Sequence, residues 1–162
     1  METLKKNKHR IILLKNNYYI IDNKKEEITD FVNKEDKWEL EINIQSDEKN
    51  YFFDNERHIM NLEVCKKCDW LLFNNKDLYF IEAKDVRPTK RVKERKDAKL
   101  KFRDTIKFYK ENFTIPKNLK LNAILNFKNS REITGAASKE NKAYYKEILG
   151  LNYEEQNVLI IS

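Results

Sequence analysis

The stretch KKCDWLLFNNKDLYFIEAKD, residues 66–85, holds two apolar runs with charged residues at their outer ends. CDWLLF and DLYFI are apolar at successive positions, so both faces of each run are hydrophobic, the pattern of strands covered on both sides. NNKD between them suits a tight turn, because asparagine tolerates the left-handed backbone that two-residue hairpins require. With the turn centred on Asn75 and Lys76, Phe73 faces Leu78 and Asp69 lands opposite Glu82. Directly opposed residues hold their Cβ atoms about 5 Å apart. Side chains alternate along a strand, so Lys84 projects to the same side as Glu82, about 7 Å further on.

Charge at the ends of the most hydrophobic segment needs a reason, since burying unpaired charge is costly. Two carboxylates this close repel unless a cation lies between them. A hard divalent ion such as Mg2+ takes oxygen ligands, keeps several waters and commonly uses one or two carboxylates with a substrate phosphate. Such an ion lowers the pKa of a bound water and stabilises charge developing on phosphate. The Lys84 ammonium is placed to orient that water or to hold the phosphate. The plain alternative is a solvated sheet edge carrying an ordinary Asp–Lys or Glu–Lys pair.

Asp69, twelve intervening residues and then Glu82-Ala83-Lys84 resemble the PD-(D/E)xK nuclease superfamily, the restriction-endonuclease-like fold. The order of elements is similar too: a hairpin carrying D and ExK, a following helix, a further strand. CDWLLF…YFIEAKD is similar to a bacterial form in which CD opens the second strand and FIExK closes the third. The likeness covers roughly residues 60–128. It implies that Asp69 and Glu82 bind Mg2+ or Mn2+ with the Ala83 carbonyl, and that Lys84 assists the attacking water. Two departures stand out. Many members place a glutamine or lysine in the next helix, and this helix has no glutamine, which leaves Lys99 or Lys101 as stand-ins. Many also carry an upstream helical glutamate, a role for which Glu26, Glu27, Glu39, Glu56 and Glu63 compete.

The bare ExK pattern recurs at Glu35–Lys37, Glu94–Lys96 and Glu140–Lys142, as 37% charged residues would produce. Only Glu82 follows an apolar strand and has an aspartate in hairpin register.

Beyond the site, proline at the first helical turn opens a helix expected from Pro88 to about Asn112. Ala98, Phe102, Ile106, Tyr109 and Phe113 make one apolar stripe along it. Arg91, Arg95, Lys99, Arg103 and Lys107 recur every fourth residue, roughly 100° away round the helix. Between Lys84 and Lys110 twelve basic residues stand against four acidic ones, so the formal charge of +6 is concentrated here. Four of the seven arginines fall in 87–103. Such a stripe beside a carboxylate–metal centre suits contact with a DNA backbone. A solvated face with Glu94, Asp97 and Asp104 as partners is the alternative.

Elsewhere, IILL (11–14) and YYII (18–21) read as a hairpin around 15–17. KEEITDFVNKED suggests a short helix, and WELEINIQ (38–45) a half-buried strand. NLKLNAILNF (118–127) is a strand, SKENKAYYKEILG a helix closed by Gly150, and NVLIIS a final strand. YYII and YFF read as core rather than as a base-stacking platform.

At 162 residues with 40% apolar content the chain has the size of one domain with a real core. No apolar run approaches the roughly 18 residues of a transmembrane helix, and IILL is too short for a secretory signal. Two cysteines point to a reducing, cytoplasmic setting. Cys65-Lys66-Lys67-Cys68 has zinc-like spacing but no second pair; His9 and His58 could complete it only if the fold brought them near. No glycine-rich phosphate loop is present, so no nucleotide cofactor is expected, and no nucleophile-elbow motif occurs.

The expectation is therefore an α/β chain: a mixed central sheet flanked by helices over residues 56–162, with a β-rich N-terminal extension over 1–55. Its function would be Mg2+- or Mn2+-dependent hydrolysis of phosphodiester bonds in DNA, an endonuclease in defence, restriction or repair. Cutting both strands of a duplex often takes two sites, which favours a homodimer. The rival is a catalytically silent nucleic-acid-binding module on the same fold.

Overall fold

The computed structural model of the chain describes residues 1–128 and 136–162. At its centre β6 (Trp70–Phe73) and β7 (Asp77–Lys84) form the expected antiparallel hairpin, with Phe73 opposite Leu78 and Trp70 opposite Ile81. Asn74 makes the turn, its Oδ1 accepting the N–H groups of Lys76 and Asp77 at 2.9 Å each.

Around this hairpin a six-stranded mixed sheet is built in the order β1 (Ile11–Leu13), β5 (Asn50–Asp54), β6, β7, β8 (Lys120–Phe127) and β9 (Asn152–Gln156). β8 runs parallel to β7, and β9 to β8. Parallel neighbours need a long crossover, and α2 (Arg91–Asn112) and α3 (Ala136–Tyr144) lie in those two connections. A second sheet holds β10 (Val158–Ile161), β4 (Leu40–Ile44), β2 (Asn16–Asn23) and β3 (Ile28–Val32), in that order.

The period of two along each strand divides the core into two layers. Phe53, Leu71, Phe73, Leu78, Phe80 and Leu125 face the helices, where Ala98, Phe102, Ile106 and Tyr109 of α2 cover them, joined by Leu4 of α1 (Glu2–Lys5). Phe52, Trp70, Leu72, Ile81 and Ile124 face the other way, against Ile20, Leu40, Ile42 and Leu159 of the second sheet. The apolar stripe of α2 is thus where the sequence puts it, with Thr105 added to the buried set.

The mixed α/β architecture agrees with expectation, but its layers do not. Among the described residues helices cover one face only, and a second sheet covers the other, because the apolar face of β2 and β4 needs a partner of its own kind. The strands also cross residue 55 in both directions, since β1 and β5 join the larger sheet and β10 joins the smaller. IILL and YYII are not a hairpin: β1 pairs with β5, whereas β2 pairs with β3 and β4. Tyr18 fixes the corner between them, its hydroxyl bonding both the N–H and the carbonyl of Leu14 at 3.0 Å. ITDFV is strand β3 rather than helix, its β-branched residues winning over the charged flanks. The last helix passes through a wide turn, Tyr145–Leu149, and stops at Gly150, whose φ of 70° is the left-handed cap. No described helix is long and apolar enough to cross a membrane.

Candidate active site

Asp69 sits one residue before β6, and its position is set by three buried groups. The Cys68 N–H donates to Thr105 Oγ1 at 3.0 Å. Asn55 donates from Nδ2 to the Cys68 carbonyl at 2.9 Å and from its backbone N–H to the Asp69 carbonyl at 3.0 Å. The Tyr109 hydroxyl in turn donates to Asn55 Oδ1 at 2.8 Å. The helix therefore holds the aspartate through the polar side chains inside its apolar stripe. No sequence signal singles out Asn55, Thr105 or Tyr109 for this.

Past the end of the β6–β7 ladder, the Ala83 N–H has no strand partner and donates to Asp69 Oδ2 at 3.0 Å. N–H and C=O of one strand residue point the same way, so the Ala83 carbonyl shares that side. Glu82 is fully buried, and its Oε1 receives Lys84 Nζ at 2.5 Å and Lys101 Nζ at 2.6 Å. Lys101 also reaches Asp69 Oδ1 at 3.3 Å. The two carboxylates expected to face each other thus meet around one cation, the Lys101 ammonium.

Electrostatics follow from burial. Desolvation, then the charge of Asp69, pushes the Glu82 carboxyl well above the usual carboxylate range, and the two lysines only partly offset this. Both lysines are held charged by the carboxylates, against the cost of burial. Of the two stand-ins, Lys101 enters the site, while Lys99 turns away with its ammonium 3.3 Å from the Tyr144 ring centroid.

Asp69, Ala83, Lys84 and Lys101 line a cleft of about 950 Å3 between the hairpin and the second sheet, with Glu82 buried behind them. Glu27, Glu39 and Glu56 reach this cleft; Glu26 and Glu63 do not line it. Glu39 is the best-anchored of the three. Its Oε2 accepts the Asp22 N–H at 3.3 Å, and its carbonyl accepts Asn126 Nδ2 at 2.8 Å. Burial raises its pKa, with Asp22 and Asp69 adding to the rise. It is one of the five candidate glutamates, but it lies on no helix, so the helical pattern does not single it out.

The basic stripe is not a uniformly free face. Arg95 grips Glu155 through Nε at 2.8 Å and Nη2 at 3.0 Å, and both Arg91 and Arg95 lie over the Phe127 ring. Arg103 pairs with its neighbour Asp104, and Asp97 with Lys66. Arg103 and Lys107 are exposed. The regular spacing was real, but β9 supplies a buried acid that the helix alone does not reveal.

The CxxC does not close a zinc site. Cys65 is exposed and Cys68 buried, and His9 stacks on His58 at 4.3 Å between ring centroids. Among the described residues no group of three or more His, Cys, Asp or Glu side chains is placed to hold a metal. The hairpin offers two carboxylates and a carbonyl instead. Glu82 Oε2 is buried without a hydrogen-bond partner, an oxygen with capacity left for a cation. That donor set, all oxygen, fits Mg2+ or Mn2+.

Compared with known proteins, the chain matches no family model, no curated protein and no solved structure.

Proposed function

We propose that the protein is a metal-dependent nuclease acting on phosphodiester bonds in DNA, with a restriction-endonuclease-like core. One observation carries the reading: Asp69 and Glu82 converge on a single cation at the floor of a cleft, with Lys84 on the same carboxylate. Asp69, Glu82 and the Ala83 carbonyl would hold Mg2+ or Mn2+, which when bound supplies an acidified water and charge neutralisation at phosphate. Lys84 orients the attacking water, and Lys101, reaching both carboxylates, balances their charge and takes a phosphate oxygen of the substrate. Thr105, Asn55 and Tyr109 keep Asp69 in register without touching the substrate.

A second reading has its own observation. The Lys101 ammonium already lies between the two carboxylates and offsets their charge without a metal, which suits a silent nucleic-acid-binding module. Incubation with single- and double-stranded DNA, with and without Mg2+ or Mn2+, separates the two. The nuclease reading expects cleavage only with metal and none from Asp69→Asn or Glu82→Gln. Wild-type protein that binds DNA but cuts neither form with either metal is the silent module.

A further inference from the structure

The cleft sets a limit on what reaches its floor. Its volume of about 950 Å3 lies at the upper end of the roughly 300–1,000 Å3 of small-ligand sites. Glu82 has no exposed surface, and the side chains of Lys101 and Asp69 are 18% and 20% exposed. A phosphate on a duplex arrives with its partner strand across a groove of about 6 to 12 Å, bulk that a cleft of this size must also accommodate. One unpaired strand brings no such bulk.

The wall opposite the hairpin is tied down. Arg57 donates from Nη2 to Asp22 at 2.5 Å and from Nη1 to Asp54 at 2.7 Å. The Thr29 hydroxyl donates to Asp54 at 2.8 Å and accepts from Trp70 Nε1 at 3.0 Å. Asp22 lies on β2 and Thr29 on β3, so both strands of that hairpin are fastened to the larger sheet. The wall cannot swing aside without breaking half-buried bonds, three of them charge-assisted.

Charge in the cleft points the same way. Glu27, Glu39, Glu56 and Asp85 line it beside Lys24 and Lys37. With carboxylates among the lining, each backbone that enters meets repulsion as well as attraction, and a duplex brings two backbones where a single strand brings one.

Resting on the nuclease reading, we propose that the site takes one unpaired DNA strand (a single strand, a flap or a frayed end) and excludes intact duplex. The test uses the full chain with a labelled single-stranded oligonucleotide, its blunt duplex, and the duplex bearing a single-stranded flap. Cleavage is followed in Mn2+, and binding in Ca2+ on the same three substrates. The single strand and flap should be cut, and bound, more than about tenfold better than the duplex. Equal or better cutting or binding of the duplex interior overturns the proposal. If nothing is cut, the binding arm still decides strand preference, and only the nuclease reading is lost. Asp22→Asn combined with Thr29→Val should raise duplex cutting or binding relative to single strand. An unchanged ratio in a folded variant with a lowered melting temperature overturns the role of the wall.

Discussion

Lys101 Nζ stands 2.6 Å from Glu82 Oε1, so an ammonium from the long helix neutralises a carboxylate that the strand hairpin buries completely. A divalent ion at the two carboxylates must compete with that ammonium. Lys101→Ala should therefore destabilise the metal-free protein by about 1–3 kcal/mol, since one partner of a buried pair is removed while Lys84 remains. Millimolar Mn2+ should then raise the melting temperature of the variant more than that of the wild type. An equal metal-induced shift in both would mean that Lys101 and the ion do not share a place.

Lys84 faces Glu82 from the strand itself. Lys84→Ala should abolish the proposed cleavage while leaving DNA affinity nearly intact, because one lysine among many adds little to backbone attraction. Its cost in stability should resemble that of Lys101→Ala, since both lysines pair with Glu82 Oε1. Gel-shift and cleavage assays on one preparation decide it. Parallel loss of both would make Lys84 a phosphate anchor only.

Stability should carry the mark of Glu82 as a function of pH. Its carboxyl is pushed from 4.5 to about 8 in the folded chain, chiefly by burial. A carboxyl raised on folding binds its proton in the native state while the unfolded state has released it, so stability falls as pH rises through that window. Metal-free wild type should lose stability relative to Glu82→Gln between about pH 4.5 and pH 8. Melting curves of the two proteins in chelator, compared pH by pH, cancel the groups they share. A difference that stays flat would show Glu82 to be ionised throughout.

Two kinds of basic residue should separate on mutation. Arg95→Ala leaves Glu155 buried without its fork and should cost about 2–4 kcal/mol in denaturant unfolding. Arg103→Glu with Lys107→Glu, both exposed, should cost less than about 1 kcal/mol. Lys24→Glu and Lys37→Glu in the cleft should each flatten the slope of log affinity against log salt, by roughly 0.7 on single-stranded DNA. A slope that responds to the helix pair and not to the cleft pair would move the DNA path onto α2.

The two cysteines should differ in a thiol-labelling time course. Burial pushes the Cys68 thiol up, far from its reactive form, and Glu82 adds to this. Cys65 is exposed. One thiol should react in native protein and the second only in denaturant; two fast thiols would mean that the 68–69 segment opens.

Much of the site is legible because a hairpin leaves little freedom. A tight turn at Asn75 and Lys76 fixes every pairing back to Asp69, and a slip of one residue would turn Phe73 and Leu71 away from the helices. The stripe of α2 is legible for the same local reason. What fails is long-range. Whether ITDFV extends depends on β2 beside it, and whether Arg95 is free depends on Glu155, far along the chain. Asn55 and Thr105 carry no motif, since a buried amide or hydroxyl earns its meaning only from the backbone it meets. The proposed Glu82–Ala83–Lys84 roles rest on register, which sequence encodes; Glu39 and the cleft rest on sheet packing, which it encodes only diffusely.

β9 and β10 are separated by Asn157 alone, yet β9 enters one sheet beside β8 and β10 enters the other beside β4. The second sheet is therefore completed by a pairing between distant parts of the chain. Contacts of such sequence separation form slowly, and a chain emerging N-terminus first has its carboxylate hairpin and α2 in hand before β4 gains this neighbour. The nascent chain thus passes through a stage in which the edge of β4 that β10 will occupy still carries unpaired backbone groups. Time spent there would set how long that edge stands open to pairing with another chain.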